Sequence, residues 1–335
     1  MKEISGFLFL LIFSVQLFAQ EERKLFLNES KGVCDSVDAT FYRILRLKED
    51  NKYIVEDYWI DDNRLYQEGT VNIDSSVSDF SRLSTGRPVK NGEFNLYFKN
   101  GQKKESGSYS IGVKEGLFEE WYLNGQKKGD FLYGNDGSML ARQMDDSSNL
   151  DQEFRILNYY DSLGNALTTD GNGTFNEQQR SYEAKGSVEN GLKHGKWTGT
   201  FNNRRGSYSF TEYYEKGKVV SGVVKDSLNT KVEYQKLRVQ PKYAGGIQAF
   251  YEAISKNMSY PKQARRRRIQ GIVYVQFIVD ETGTPTDIKV AKGVHPLIDE
   301  QAILGVSKVS GFSPGFQRGL PVRVRMMMPI VFKLK

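Results

Sequence analysis

The chain is expected to be an α+β protein. A long antiparallel β-meander of hairpins should come first, followed by a small domain in which helices pack on a short antiparallel sheet. Three observations lead there. Aromatic residues make up 13% of the sequence and glycines number 32, a mix that favours short twisted strands over helical bundles. Residues 90–128 repeat themselves at an offset of 24 residues, so one hairpin unit is used again. From about Leu237 the texture changes to helical spacing and then to period-two alternation.

The N-terminus reads MKEISGFLFLLIFSVQLFAQEERK. Lys2 supplies a positive start, Ile4 to Phe18 an apolar run, and Leu17-Phe18-Ala19 a processing site. Residues 1–19 are therefore expected to be a signal peptide cleaved near Ala19, with Gln20 first in the mature, exported chain. The rival reading is an uncleaved membrane anchor. Ser5, Gly6, Ser14 and Gln16 interrupt the run, which falls short of the ~20 residues a spanning helix needs. The single cysteine, Cys34, excludes an internal disulfide.

Residues 25–235 form the expected β domain. Lys90, Gly92, Phe94, Tyr97 and NGQKK at 100–104 recur as Lys114, Gly116, Phe118, Trp121 and NGQKK at 124–128. A wider echo matches residues 107–118 to residues 186–197, with looser copies at 158–167 and 212–222 and a degenerate unit at 41–71. Asn-Gly at the joints is expected to make two-residue hairpin turns, since both positions tolerate positive φ. Stacked units bury a shared aromatic face that none buries alone, so Trp121 and Trp197 are expected in the core. No nucleophile–base pair or carboxylate pair stands out, so the chain is read as non-enzymatic. Across about 86–222 these residues resemble the MORN-like repeats of bacterial exported proteins. The resemblance implies an extended binding or spacer surface.

Residues 237–335 form the second expected domain. Ile247, Phe250, Tyr251, Ile254 and Met258 keep helical spacing after Gly245-Gly246. Tyr260-Pro261 opens a short helix that runs through Ala264 into Arg265, Arg266, Arg267 and Arg268. Val273 to Val279 alternate as a strand, Asp280 to Gly283 turn, and Ile288 and Val290 return. Residues 297–309 read as a third helix with Asp299 and Glu300 in its first turn, where the helix dipole favours acids. The chain ends on an alternating strand from Pro321, with Pro329 placing it on an edge or at a bulge.

This order resembles the C-terminal domain of TonB-family energy transducers. The pattern is Tyr260-Pro261-x-x-Ala264, Gly271-x-Val273-x-Val275-x-Phe277-x-Val279, Phe312-x-Pro314-Gly315, Gly319-x-Pro321-Val322 and Pro329-Ile330-x-Phe332. The resemblance covers about 242–334 and implies binding of a TonB-box segment from an outer-membrane transporter by β-strand addition. The residues it implicates are Tyr260, Pro261, Val322, Arg323, Val324, Arg325, Met327, Pro329 and Val331. An inner-membrane proton-driven motor complex and peptidoglycan are further partners it allows. The expected place is the periplasm.

Charge is concentrated in this domain. Its 16 Lys and Arg against 6 Asp and Glu give +10, so the rest of the chain is −4 beneath the overall +6. Arg265 to Arg268 are read mainly as a solvated face, with contact to an acidic surface as the alternative. Nucleic acid is not expected for an exported protein. Neither His194 nor His295 sits in a metal-ligand spacing, and no cofactor motif is present. The sequence departs from the resembled family in two ways: the inner-membrane anchor of typical members is here a short run expected to be cleaved, and only 8 prolines leave no Pro-rich spacer, so that the repeats stand in its place. The favoured function is transporter binding that supports or regulates uptake by energy transduction. The alternative is a non-transducing periplasmic scaffold.

Overall fold

The computed structural model describes residues 22–49, 52–72, 89–134 and 154–334. The expected signal peptide lies outside the described residues. The chain divides into two compact units between Lys128 and Gly129.

The first unit is an antiparallel meander. Strands β1 (Glu22–Leu27), β2 (Phe41–Glu49), β3 (Lys52–Trp59), β4 (Leu65–Asn72), β5 (Val89–Tyr97), β6 (Lys103–Ser110) and β7 (Val113–Trp121) pair in chain order. Period-two patterning decides which face is buried: Leu45, Val55, Val71 and Phe94 close one cluster. That face also buries a charge. Arg43 donates to Asp57 through Nε at 2.6 Å and Nη2 at 2.9 Å, and Gln67 donates its amide to Asp57 at 2.8 Å. These residues stand opposite one another on adjacent strands. Nearby, Lys31 places Nζ 3.8 Å from the Tyr66 ring centroid, with no hydrogen-bond partner among the described residues. Burial lowers its pKa to about 7, against an opposing pull from Asp57.

Strand β8 (Lys127–Tyr133) carries the division. In the second unit it pairs with β9 (Phe154–Tyr160). Then β10 (Ala166–Thr169), β11 (Asn172–Gln179), β12 (Tyr182–Glu189), β13 (Leu192–Asn203), β14 (Gly206–Glu215), β15 (Lys218–Lys225) and β16 (Lys231–Tyr234) follow as antiparallel neighbours.

The repeat has a packing basis. Phe118 and Trp197 are its equivalent core residues, each under 2% exposed, and each ring lies flat on a glycine of the preceding strand. A Cβ on Gly107 would stand 2.5 Å from the Phe118 ring, and one on Gly186 2.3 Å from Trp197 Cγ. Only a residue without a side chain lets the ring reach the backbone there. Trp121, three residues past Phe118, is only half-buried. Trp197 meets the core expectation and Trp121 does not, because the register places Phe118 inward.

The turns correct another expectation. At Asn100-Gly101 and Asn124-Gly125 only the glycine has positive φ, 86° and 84°. Phe98 N–H bonds Gln102 O at 2.8 Å and Tyr122 N–H bonds Gln126 O at 2.8 Å, which encloses three residues instead of two. This is a type I turn ended by a left-handed glycine. Two-residue turns do occur at Asn190-Gly191 and Lys216-Gly217, where both φ values are positive.

The C-terminal part of the second unit begins with β17 (Arg238–Val239) and β18 (Lys242–Tyr243). Helices α1 (Gly246–Asn257) and α2 (Lys262–Arg266) lead to β19 (Gly271–Val279), β20 (Pro285–Lys292) and α3 (Pro296–Ser307). Short strands β21 (Phe312–Ser313), β22 (Gly315–Gln317) and β23 (Leu320–Val322) precede β24 (Val324–Phe332). The helices and long strands stand where the sequence puts them. Three ends move: α2 stops before Arg268, which turns left-handed at φ 54°, α3 ends at Ser307 and not at 309, and the last strand breaks at Arg323.

Helices α1 and α3 lie on one face of the sheet ordered β20-β19-β24. Val273, Val275, Phe277 and Val279 alternate inward from β19 and pack with Phe250, Ile254, Ile298, Ala302 and Val306. Gly305 lets α3 approach α1, since a Cβ there would meet Ile254 Cγ2 at 2.9 Å. His295 caps α3, its Nδ1 accepting from Leu297 N–H at 3.2 Å, and Pro296 takes the first helical position.

Candidate partner-binding edge

Strand β24 pairs with β19 without a register shift, from Gly271↔Phe332 to Val279↔Val324. Among the described residues it has no partner on its other side. Pro329 therefore sits on an edge and not at a bulge. Its missing N–H also fixes which groups face which way. An unbroken antiparallel ladder alternates between residues that bond the neighbour and residues that point away. Proline fits only the second kind. Val324, Met326, Met328, Ile330 and Phe332 thus bond β19, while Arg325, Met327 and Val331 direct N–H and C=O to the free side. Pro329 offers only its carbonyl.

The side chains follow the same parity. Ile330 and Phe332 are buried in the helix-covered core, with Met326 and Met328 packed beside them. Arg325, Met327, Pro329 and Val331 are exposed on the far face, Met327 at 55% and Val331 at 61%. Ile272 on β19 extends this apolar strip. Arg323 is engaged: its Nη2 lies 2.8 Å from Asp287 Oδ2 in an exposed pair. Val322 belongs to β23 and pairs with Gly315, so it stands outside the free ladder.

The structure separates Tyr260 and Pro261 from this edge. The Tyr260 hydroxyl donates to Ile269 O, and its ring stands edge-on to Phe332 at 5.8 Å. Pro261 caps α2. Tyr260 thus braces the inner side of the last strand. Arg265, Arg266, Arg267 and Arg268 are all exposed around the end of α2, an open basic surface with no single focus.

Sequence reasoning missed a second constellation. Arg318, in the turn between β22 and β23, donates from Nε to Glu212 Oε1 on β14 at 2.8 Å. Its guanidinium lies 4.5 Å from the Phe210 ring centroid and 5.2 Å from that of Tyr182. Glu212 also accepts from the hydroxyls of Tyr214 at 2.8 Å and Tyr234 at 2.6 Å. Burial opposes charge on Arg318, but the Glu212 carboxylate outweighs it and holds the pKa above the usual arginine value. The same burial, with Glu212 beside them, pushes Tyr214 and Tyr234 up. One sequence signal was available: Glu212 shares strand parity with the inward Phe210 and Tyr214. Among the described residues no group of three or more acidic, histidine or cysteine side chains converges as metal ligands would.

Residues 256–334 match the family model described as Gram-negative bacterial TonB protein C-terminal. No curated protein matches the chain. Two NMR solution structures of the Helicobacter pylori TonB C-terminal domain, a longer and a shorter fragment, are similar to it at 29% identity. Each covers 26% of this chain, and the chain covers 79% and 92% of theirs, with a TM-score of 0.22 in both cases.

Proposed function

We propose that this chain is an exported, periplasmic TonB-like protein that receives an extended segment of an outer-membrane transporter on the free side of β24. One observation carries the reading: a run of outward main-chain groups at Arg325, Met327 and Val331, inside the segment that matches the TonB C-terminal family. An added strand gains main-chain hydrogen bonds there and reads side chains at alternate positions. Pro329 pins its register, because a partner carbonyl placed opposite finds no donor. Exposed Arg325, with Arg323 beside it in its exposed pair with Asp287, favours a neutral or acidic segment. The protein acts by binding, and supports or regulates transport through that contact.

The test is Arg323→Glu combined with Arg325→Glu, titrated calorimetrically with peptides from the transporters of the same organism. Affinity should fall by about tenfold or more, while folding stability changes by less than about 1 kcal/mol, since exposed charges contribute little. Unchanged affinity for an acidic peptide would count against the edge.

A further inference from the structure

We propose that Arg318 latches the C-terminal domain onto the closing strands of the second unit's meander, so that the two move as one body. On the reading that β24 is the receiving edge, strain on that edge then passes into β12–β16 and is not absorbed at a loose joint. The first statement stands without that reading; the second rests on it.

The covalent joint between the two parts is short and exposed at Gln235 and Lys236. By itself it would let the domain swing. The β22–β23 hairpin removes that freedom by three contacts. Arg318 N–H bonds Leu237 O at 2.8 Å, which ties the hairpin tip to the joint. The Arg318 side chain is 11% exposed and enters the meander, where Glu212 is 1% exposed. Gly319 packs so closely on β16 that a Cβ would meet Val232 Cγ1 at 2.7 Å. A second clamp lies at the β13–β14 turn, where Arg205 bonds Pro321 O at 3.1 Å and pairs with Glu281 at 2.6 Å. The division of the chain agrees: β9–β16 fall in the same compact unit as the C-terminal domain. Strand β23 runs into β24 across one residue, Arg323. The latched hairpin and the receiving edge are therefore nearly continuous.

The turn itself argues that the arginine is there for its side chain. Gln317 pairs with Leu320 around Arg318-Gly319, with φ of 50° and 73°. Two positive φ values define the hairpin turn that prefers Asn-Gly. Arginine is a poorer first residue than asparagine at this position: both carry a Cβ that crowds the following carbonyl in the left-handed region, but only asparagine's short polar side chain offsets this by bonding the local backbone.

That preference supplies the test. Arg318→Asn should suit the turn and remove the latch. In the full chain, tryptic cleavage after Lys236 is measured beside cleavage within the meander. The latch predicts that cleavage after Lys236 speeds up by about tenfold or more in Arg318→Asn, with meander sites unchanged. Glu212→Gln, which approaches the pair from the meander side and keeps its shape, should do the same. It carries the test if Arg318→Asn does not fold. The double variant should be cleaved no faster than the faster single variant, because both changes break one interaction. Cleavage that is unchanged or slowed in both variants, or that multiplies in the double, overturns the latch. Binding of transporter-derived peptides by the unaltered chain reads the edge separately, so either proposal can fail while the other stands.

Discussion

Among the described residues each unit buries one arginine against one acid, and the two pairs differ in reach. Arg43 and Asp57 face each other on neighbouring strands, 14 residues apart, while Arg318 meets Glu212 across 106. The first pair joins strands that are consecutive in the chain and already paired along their length. The second closes a long stretch of chain and decides which parts of the molecule touch. Stripping water from such ions is costly in both places, and near-ideal hydrogen bonding offsets the loss. What the difference teaches is that equal local chemistry does unequal work: one pair reinforces a hairpin, the other builds a larger body.

Breaking the short pair gives the largest expected effect. Asp57→Ala leaves Arg43 buried without its carboxylate and should cost the first unit about 3–5 kcal/mol. Denaturant melts followed by hydrogen exchange should show β2–β4 losing protection while α1 and α3 keep theirs. Equal loss in both places would erase the contrast between the pairs. Next comes the packing the units share. Gly107→Ala and Gly186→Ala each drive a Cβ into a ring at 2.5 or 2.3 Å and should cost about 1–3 kcal/mol. Similar values from chemical denaturation would show that the aromatic–glycine contact belongs to the repeat and the charge pairs do not. A cost near zero would mean the rings have room to shift.

The smallest effect is a pH dependence confined to the first unit. Lys31 has its pKa lowered to about 7 from an ordinary value of 10.5. The folded chain therefore binds fewer protons than the unfolded one between these values, so this group's penalty is full below pH 7 and lifts as pH rises toward 10.5. Lys31→Met should raise the melting temperature at pH 6.5, and that gain should shrink by pH 9.5. A gain independent of pH would assign the effect to packing.

Much of the C-terminal domain was legible because its strands alternate and its helices carry plain start signals, such as Pro261 and the acids Asp299 and Glu300. Pro329 left an edge or a bulge open, and the unbroken ladder decides for the edge. The repeat was visible as spacing, but spacing does not tell which aromatic points inward, and Trp121 looked as central as Trp197. Turn type was misread at Asn100 and Asn124 for the same reason: Asn-Gly is compatible with two loop lengths, and the flanking register chooses. Glu212 and Arg318 were illegible as a pair, since nothing in a sequence announces contact between residues so far apart.

The central claim is that β24 receives an added strand, and its ladder parity makes the claim sharp. Amide chemical shifts are followed while transporter-derived peptides are titrated into the full chain. The account predicts the largest shifts at the N–H groups of Arg325, Met327 and Val331, with smaller ones at Met326, Met328 and Ile330, which already bond β19. Shifts confined to α1 and α3, or none at millimolar peptide, would contradict it.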